Sequence, residues 1–169
     1  MSVITVSSDG PEIDAETIRA GLEKDRESLD YLAVASDTDP LDFPDLYKAI
    51  KSVRPRGLDV LMITDGHDPQ VLDDTVGAGY AHAADLLLGR EVTEEQLECL
   101  SILRDNKCKF ALTVNASEHD EDSLKALAER CGKCAMFILK QDRKHPVDAN
   151  NMSKLTAAAK KSSWNVKVI

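Results

Sequence analysis

Residues 83–114, AADLLLGREVTEEQLECLSILRDNKCKFALTV, decide how the rest of the chain is read. A short apolar run, Ala83–Leu88, precedes Thr93, which has Gln96 three residues on, the capping-box pattern of a helix N-terminus. Leu97, Leu100 and Leu103 then recur at helical spacing until Lys107, and a second apolar run begins at Phe110. Strand, helix, strand within about thirty residues is the length of a βαβ unit, whose two strands lie parallel because the crossover helix returns the chain to the same end of the sheet.

The same beat runs outward in both directions. Apolar runs at Val3–Val6, Tyr31–Ala35, Val60–Ile63, Ala83–Leu88, Phe110–Val114, Ala135–Leu139 and Val166–Ile169 alternate with helix-like segments. Expected helices cover Asp14–Lys24, Pro44–Val53, Pro69–Val76, Thr93–Lys107, Glu121–Arg130 and Asn151–Lys161, with Pro44 at a first helical position and Gly132 as a terminator. No Pro/Gly/Ser-rich linker interrupts them, so residues 1–169 read as one α/β domain with a parallel sheet of six or seven strands. A partial (β/α) TIM-like barrel and an open doubly wound sheet both satisfy this pattern, and composition does not choose between them.

The formal charge of −9 argues against a nucleic-acid surface or an anionic membrane surface, because phosphate contacts need clustered Lys and Arg. No stretch approaches the roughly 20 apolar residues of a membrane span. The first residues lack the basic and long apolar regions of a secretory signal, so the cytoplasm is the expected compartment and Cys99, Cys108, Cys131 and Cys134 read as reduced thiols. Cys131-Gly132-Lys133-Cys134 falls at a helix C-terminus, where the dipole disfavours a thiolate, and reads as structural rather than redox-active or zinc-binding.

In a parallel sheet the loops after the strand C-termini hold ligands. Those loops contain Asp37, Thr38, Asp39, Thr64, Asp65, Gly66, Asp68 and Asn115, the ligand-binding candidates apart from Asp68, together with His67, His119 and His145. Imidazole and carboxylate on one rim suit a divalent metal with open positions for water, which makes the three histidines candidate ligands; solvated loop histidines are the plainer alternative. Asp37 and Asp39 read either as a carboxylate pair or as an Asp-Pro turn that starts the next helix. His82, before the fourth strand, lies at the opposite end and reads as structural.

Three turns resemble those of the radical S-adenosylmethionine enzymes, in particular the activases of glycyl-radical enzymes: Ser36-Asp37-Thr38-Asp39-Pro40, Arg54-Pro55-Arg56-Gly57-Leu58 and Thr64-Asp65-Gly66. The resemblance extends more weakly to Asn115, covers about two-thirds of the chain, and implies a partial barrel with the cofactor-binding turn after the second strand. The family's three cluster cysteines are replaced by Ser7-Ser8-Asp9-Gly10-Pro11, and both glycines of the cofactor turn by Asp37 and Thr38. A four-iron four-sulfur cluster needs converging thiolates, so none is expected. Two functions follow as expectations. One is a non-catalytic, radical-SAM-like accessory, regulatory or scaffold protein whose open sheet edges are covered by a protein partner or by its own copies. The other is a divalent-metal-dependent lyase or hydrolase using the His/Asp rim. A vestigial nucleoside pocket is a third, weaker expectation.

Overall fold

The computed structural model describes residues 2–6, 31–36, 39–53 and 58–169. The expected first helix, Asp37, Thr38, the Ser7–Pro11 loop and most of the Arg54–Leu58 turn lie outside them. Among the described residues, seven strands form one all-parallel sheet: β1 (Ser2–Val6), β2 (Tyr31–Ser36), β3 (Asp59–Thr64), β4 (Ala83–Leu88), β5 (Lys109–Asn115), β6 (Met136–Lys140) and β7 (Val166–Val168). Between them lie α1 (Pro44–Val53), α2 (Pro69–Gly77), α3 (Glu94–Asp105), α4 (Glu121–Cys131) and α5 (Ala149–Ala159).

Spatial order follows chain order without reversal, β1 to β7, and β1 does not pair with β7. Parallel crossovers are right-handed, so a sheet that always adds its next strand on the same side places every crossover helix on one face. A doubly wound sheet requires a reversal of strand order, and there is none among the described strands. The architecture is therefore an open, singly wound half-barrel.

Burial follows this asymmetry. Along β3, Val60, Met62 and Thr64 are buried while Asp59, Leu61 and Ile63 are only partly so; along β6, Phe137 and Leu139 alternate in the same way with Met136 and Ile138. The buried set meets Leu72, Leu100, Leu103, Leu124, Leu127 and Leu155 from the helices to make the core. Register places Leu61, Ile63, Asp85, Leu87, Ala111, Thr113, Met136 and Ile138 on the other face. That face is incompletely covered, and Leu87 is 40% exposed.

Local chemistry sets the helix ends. Thr93 and Gln96 form the expected capping box, with bonds of 3.2 and 3.1 Å. Gly132 closes α4 at φ 70°, and its N–H bonds the Ala128 carbonyl at 3.0 Å. The last helix begins two residues before the expected Asn151. The Asp148 carboxylate accepts from the Asn150 and Asn151 N–H groups, so it is the N-cap, a role not assigned to it from sequence. No helix among the described residues is long and apolar enough to cross a membrane.

Candidate functional site

The tips of β2 and β3 meet through one buried carboxylate. Asp39 is 5% exposed and caps the short 3-10 turn Pro40–Asp42, accepting from Leu41 N at 2.8 Å. The Thr64 hydroxyl lies 2.8 and 2.9 Å from its two oxygens, and Asp65 N donates to it at 2.6 Å. Burial pushes the Asp39 pKa up, opposed by these hydrogen bonds and assisted by the charge of Asp65. Asp39 thus begins a turn, as one sequence reading has it, and also braces the loop after β2 against the end of β3.

Thr64-Asp65-Gly66-His67-Asp68 turns back over this brace. Gly66 sits at φ 73°, a conformation that favours glycine, and an added Cβ would lie 3.2 Å from Leu86 Cδ2. Its N–H donates to Thr64 Oγ1 at 3.0 Å. From α3, Gln96 Nε2 donates to the Asp65 carbonyl at 2.8 Å and Cys99 Sγ lies 3.3 Å from the Gly66 carbonyl. Asp68 caps α2 by accepting from Val71 N. The tight turn is therefore held from beneath by a neighbouring helix.

His67 bridges two carboxylates. Its Nδ1 lies 2.9 Å from Asp65 Oδ1 and its Nε2 lies 3.2 Å from Asp42 Oδ1. Burial alone would lower the His67 pKa, but the hydrogen bond to Asp65 and the charges of Asp65, Asp39 and Asp42 outweigh it and raise it. Ligand atoms of Asp39, Asp65 and His67 all lie within 4.8 Å of one another, an arrangement that can hold a metal ion. Asp39 and Thr64 are buried, whereas the His67 side chain is 44% exposed, so the group has a solvent-facing mouth.

The three sequence-derived histidines divide between two places. His119 and His145 line one cavity of about 670 Å³ between the starts of α4 and α5, with Asp120, Asp148 and Lys154. Both ring nitrogens of His119 are buried, and burial pushes its pKa down against the opposing pull of the Glu118 charge and the Gly89 backbone. His145 lies 3.0 Å from Asp142. Asn115 belongs to neither group: it caps the turn Ala116–Glu118 and donates to Glu118 at 3.0 Å. His82 holds the start of β3, accepting from Val60 N at 3.2 Å through Nδ1, as its position before β4 suggests.

Four contributors escaped the sequence reading. Asp42 and Gln96 reach the site through the tertiary fold, although Gln96 was visible as a cap. Tyr47, fully buried, has no hydrogen-bond partner for its hydroxyl among the described residues, and burial together with the Asp39 charge opposes its ionisation. Asp85 lies near the middle of the partly covered sheet face, accepts from Thr113 Oγ1 at 2.7 Å, and has its pKa raised by burial. Its signal was present: a carboxylate at an alternating position inside an apolar strand. The cysteines are thiols, and burial pushes Cys131 and Cys134 up to about 11 and Cys99 up to about 12.

The fold and this rim define an open parallel α/β half-barrel with a carboxylate–imidazole group at the strand C-termini. No family model matches the chain, and no curated protein matches it.

Proposed function

We infer that the β2–β3 rim binds a divalent transition-metal ion through Asp65, His67 and Asp39, and that the protein acts as a metal-dependent lyase or hydrolase. The observation that carries this reading is the convergence of their ligand atoms within 4.8 Å at the carboxyl ends of adjacent parallel strands. Two carboxylates and one imidazole suit manganese or zinc better than calcium, which prefers oxygen alone. Such an ion supplies Lewis acidity and a bound water of lowered pKa. This chain's residues contribute the rest. Asp39 brings a buried negative charge, Thr64 and the Asp65 N–H orient it, and Gln96 and Cys99 hold the turn that presents Asp65 and His67.

A metal must displace the proton that His67 shares with its carboxylates, so binding releases a proton and weakens as pH falls through the raised pKa of His67. Calorimetry of tag-free protein with manganese and zinc tests the reading. One equivalent should bind in wild type and be lost in Asp65→Asn and His67→Ala. Stoichiometric binding that survives both substitutions, or no binding at all, refutes it.

A second reading has its own support. The sheet face opposite the helices is incompletely covered and both sheet edges lack a further strand among the described residues, as in a radical-SAM-like scaffold that works with a partner. Reconstitution with iron and sulfide under anaerobic conditions should then give no stoichiometric cluster, and a cluster that cleaves S-adenosylmethionine would overturn it.

A further inference from the structure

The chain's single tryptophan stands just before β7, the last strand of the sheet. Trp164 is 95% exposed, yet the turn that carries it is tied down. Ser162 and Ser163 are buried. Ser162 Oγ lies 2.5 Å from the Ala128 carbonyl and 2.6 Å from that of Gly132, and Cys134 N donates to the Ser162 carbonyl at 3.2 Å. A large aromatic group on so fixed a turn loses little freedom on contact, which is what an interface anchor requires.

The backbone that follows has an unpaired side. Phe137 N donates to Asn165 O and Ile169 N to Leu139 O, so in the parallel register residues 165, 167 and 169 turn their peptide groups toward β6. The peptide groups of Val166 and Val168 point the other way, and no further strand pairs with β7 among the described residues. Lys167, Val168 and Ile169 are exposed, so water reaches this edge. Outward N–H and C=O groups of this kind take up an extended peptide as an added strand.

Charge around the edge selects the peptide. Lys133, Lys160, Lys161 and Lys167 are all exposed. Lys133 Nζ donates to the Lys161 carbonyl at 2.6 Å, which brings the turn between α4 and β6 beside the end of α5. Residues 149–169 contain no acidic side chain. The acidic side chains of residues 132–148 are Asp142 and Asp148, which follow the carboxyl end of β6, at the opposite end of the sheet from Trp164. This basic end belongs to a chain of net charge −9. A long polyanion or an anionic bilayer would meet the acidic remainder too, whereas one short acidic segment meets only the lysines. Pairing two β7 edges would set lysine against lysine.

We propose that β7 receives an acidic, extended segment of a partner protein as an added strand, anchored by Trp164 and matched in charge by the four lysines. The contact uses none of the rim residues, so it stands apart from the metal reading. A blocked peptide of alternating Glu and Val, about nine residues long, is the probe. Its counterpart with Lys in place of Glu, a single-stranded oligonucleotide and phosphatidylserine vesicles are the comparisons. The Glu/Val peptide should blue-shift the Trp164 emission at low salt and bind more weakly at high salt, and the comparisons should leave the emission unchanged. By anisotropy of the labelled peptide, Trp164→Ala should weaken binding about tenfold or more. The double variant Lys160→Glu with Lys161→Glu should weaken it about tenfold at low salt. Val168→Pro removes an outward N–H and leaves the bonds to β6 in place, so it should abolish binding while circular dichroism shows a folded chain. No binding at millimolar peptide overturns the proposal, as does equal binding of the Lys/Val peptide or a shift produced by the oligonucleotide or the vesicles. Binding that survives Val168→Pro overturns it too. Where that variant disturbs the dichroism, binding indifferent to both Trp164→Ala and the lysine reversals overturns it equally.

Discussion

Replacing Thr64 by valine keeps the shape of a fully buried side chain and removes one hydroxyl. That hydroxyl donates to the Asp39 carboxylate, 2.8 and 2.9 Å from its oxygens, and accepts from Gly66 N at 3.0 Å. A hydrogen bond to a charged group contributes about 1.5–3 kcal/mol, and an amide left without its acceptor costs about 1 kcal/mol more. The loss should therefore be about 3 kcal/mol. For a domain of this size that lowers the melting temperature by about 6–12 °C. Urea unfolding followed by far-ultraviolet circular dichroism at neutral pH measures it, with an unchanged m-value confirming that stability alone has moved. Thr64→Ser retains the hydroxyl and should recover most of the difference. A loss below about 1 kcal/mol for the valine variant would show that Asp39 does not depend on Thr64, and the brace between β2 and β3 would be refuted.

Asp85→Asn should stabilise the protein at neutral pH by about 1 kcal/mol, because it removes a carboxylate whose ionisation burial opposes and keeps an acceptor for Thr113. The pKa is raised in the folded state, so the wild-type disadvantage grows as pH rises from 3.8 through the folded value; parallel melts at low and neutral pH should show the variant's gain only at the latter. His67→Ala should cost up to about 1 kcal/mol at pH 6 and less at pH 9. The pKa of His67 is raised, so its contribution is full below 6.5 and is lost as pH rises through the folded value; chemical denaturation at the two pH values checks the sign. Iodoacetamide should label Cys131 and Cys134 about a hundredfold more slowly in the native protein than after unfolding, since burial pushes both thiols up to about 11; fast native labelling would restore the redox reading of the pair.

Much of this architecture was legible along the chain because its signals are local. The Thr93–Gln96 box, the leucines of α3 and the apolar runs act within a few residues, so period and cap identify each element. The start of α5 was misplaced because Pro146, Val147 and Asp148 offer several places to begin, and the winner was the carboxylate that satisfies two N–H groups at once. The site was legible in kind and not in grouping. Asp39, Thr64, Asp65, Gly66 and His67 were all singled out, yet His119 and His145 share a different cavity, and the second carboxylate on His67 belongs to Asp42.

By itself, then, the sequence determined alternation: strand after strand in one direction, polar tips at the carboxyl ends, and a charge unlike that of a phosphate-binding surface. Tertiary structure alone decided that the described strands add in unbroken order and leave one sheet face incompletely covered, and that a buried aspartate ties two neighbouring tips together. The physical reason is reach. Periodicity and capping are interactions among neighbours in the chain, whereas Thr64 with Asp39 and Gln96 with the Asp65 carbonyl join residues 25 and 31 positions apart, and their meeting exists only once the sheet has assembled.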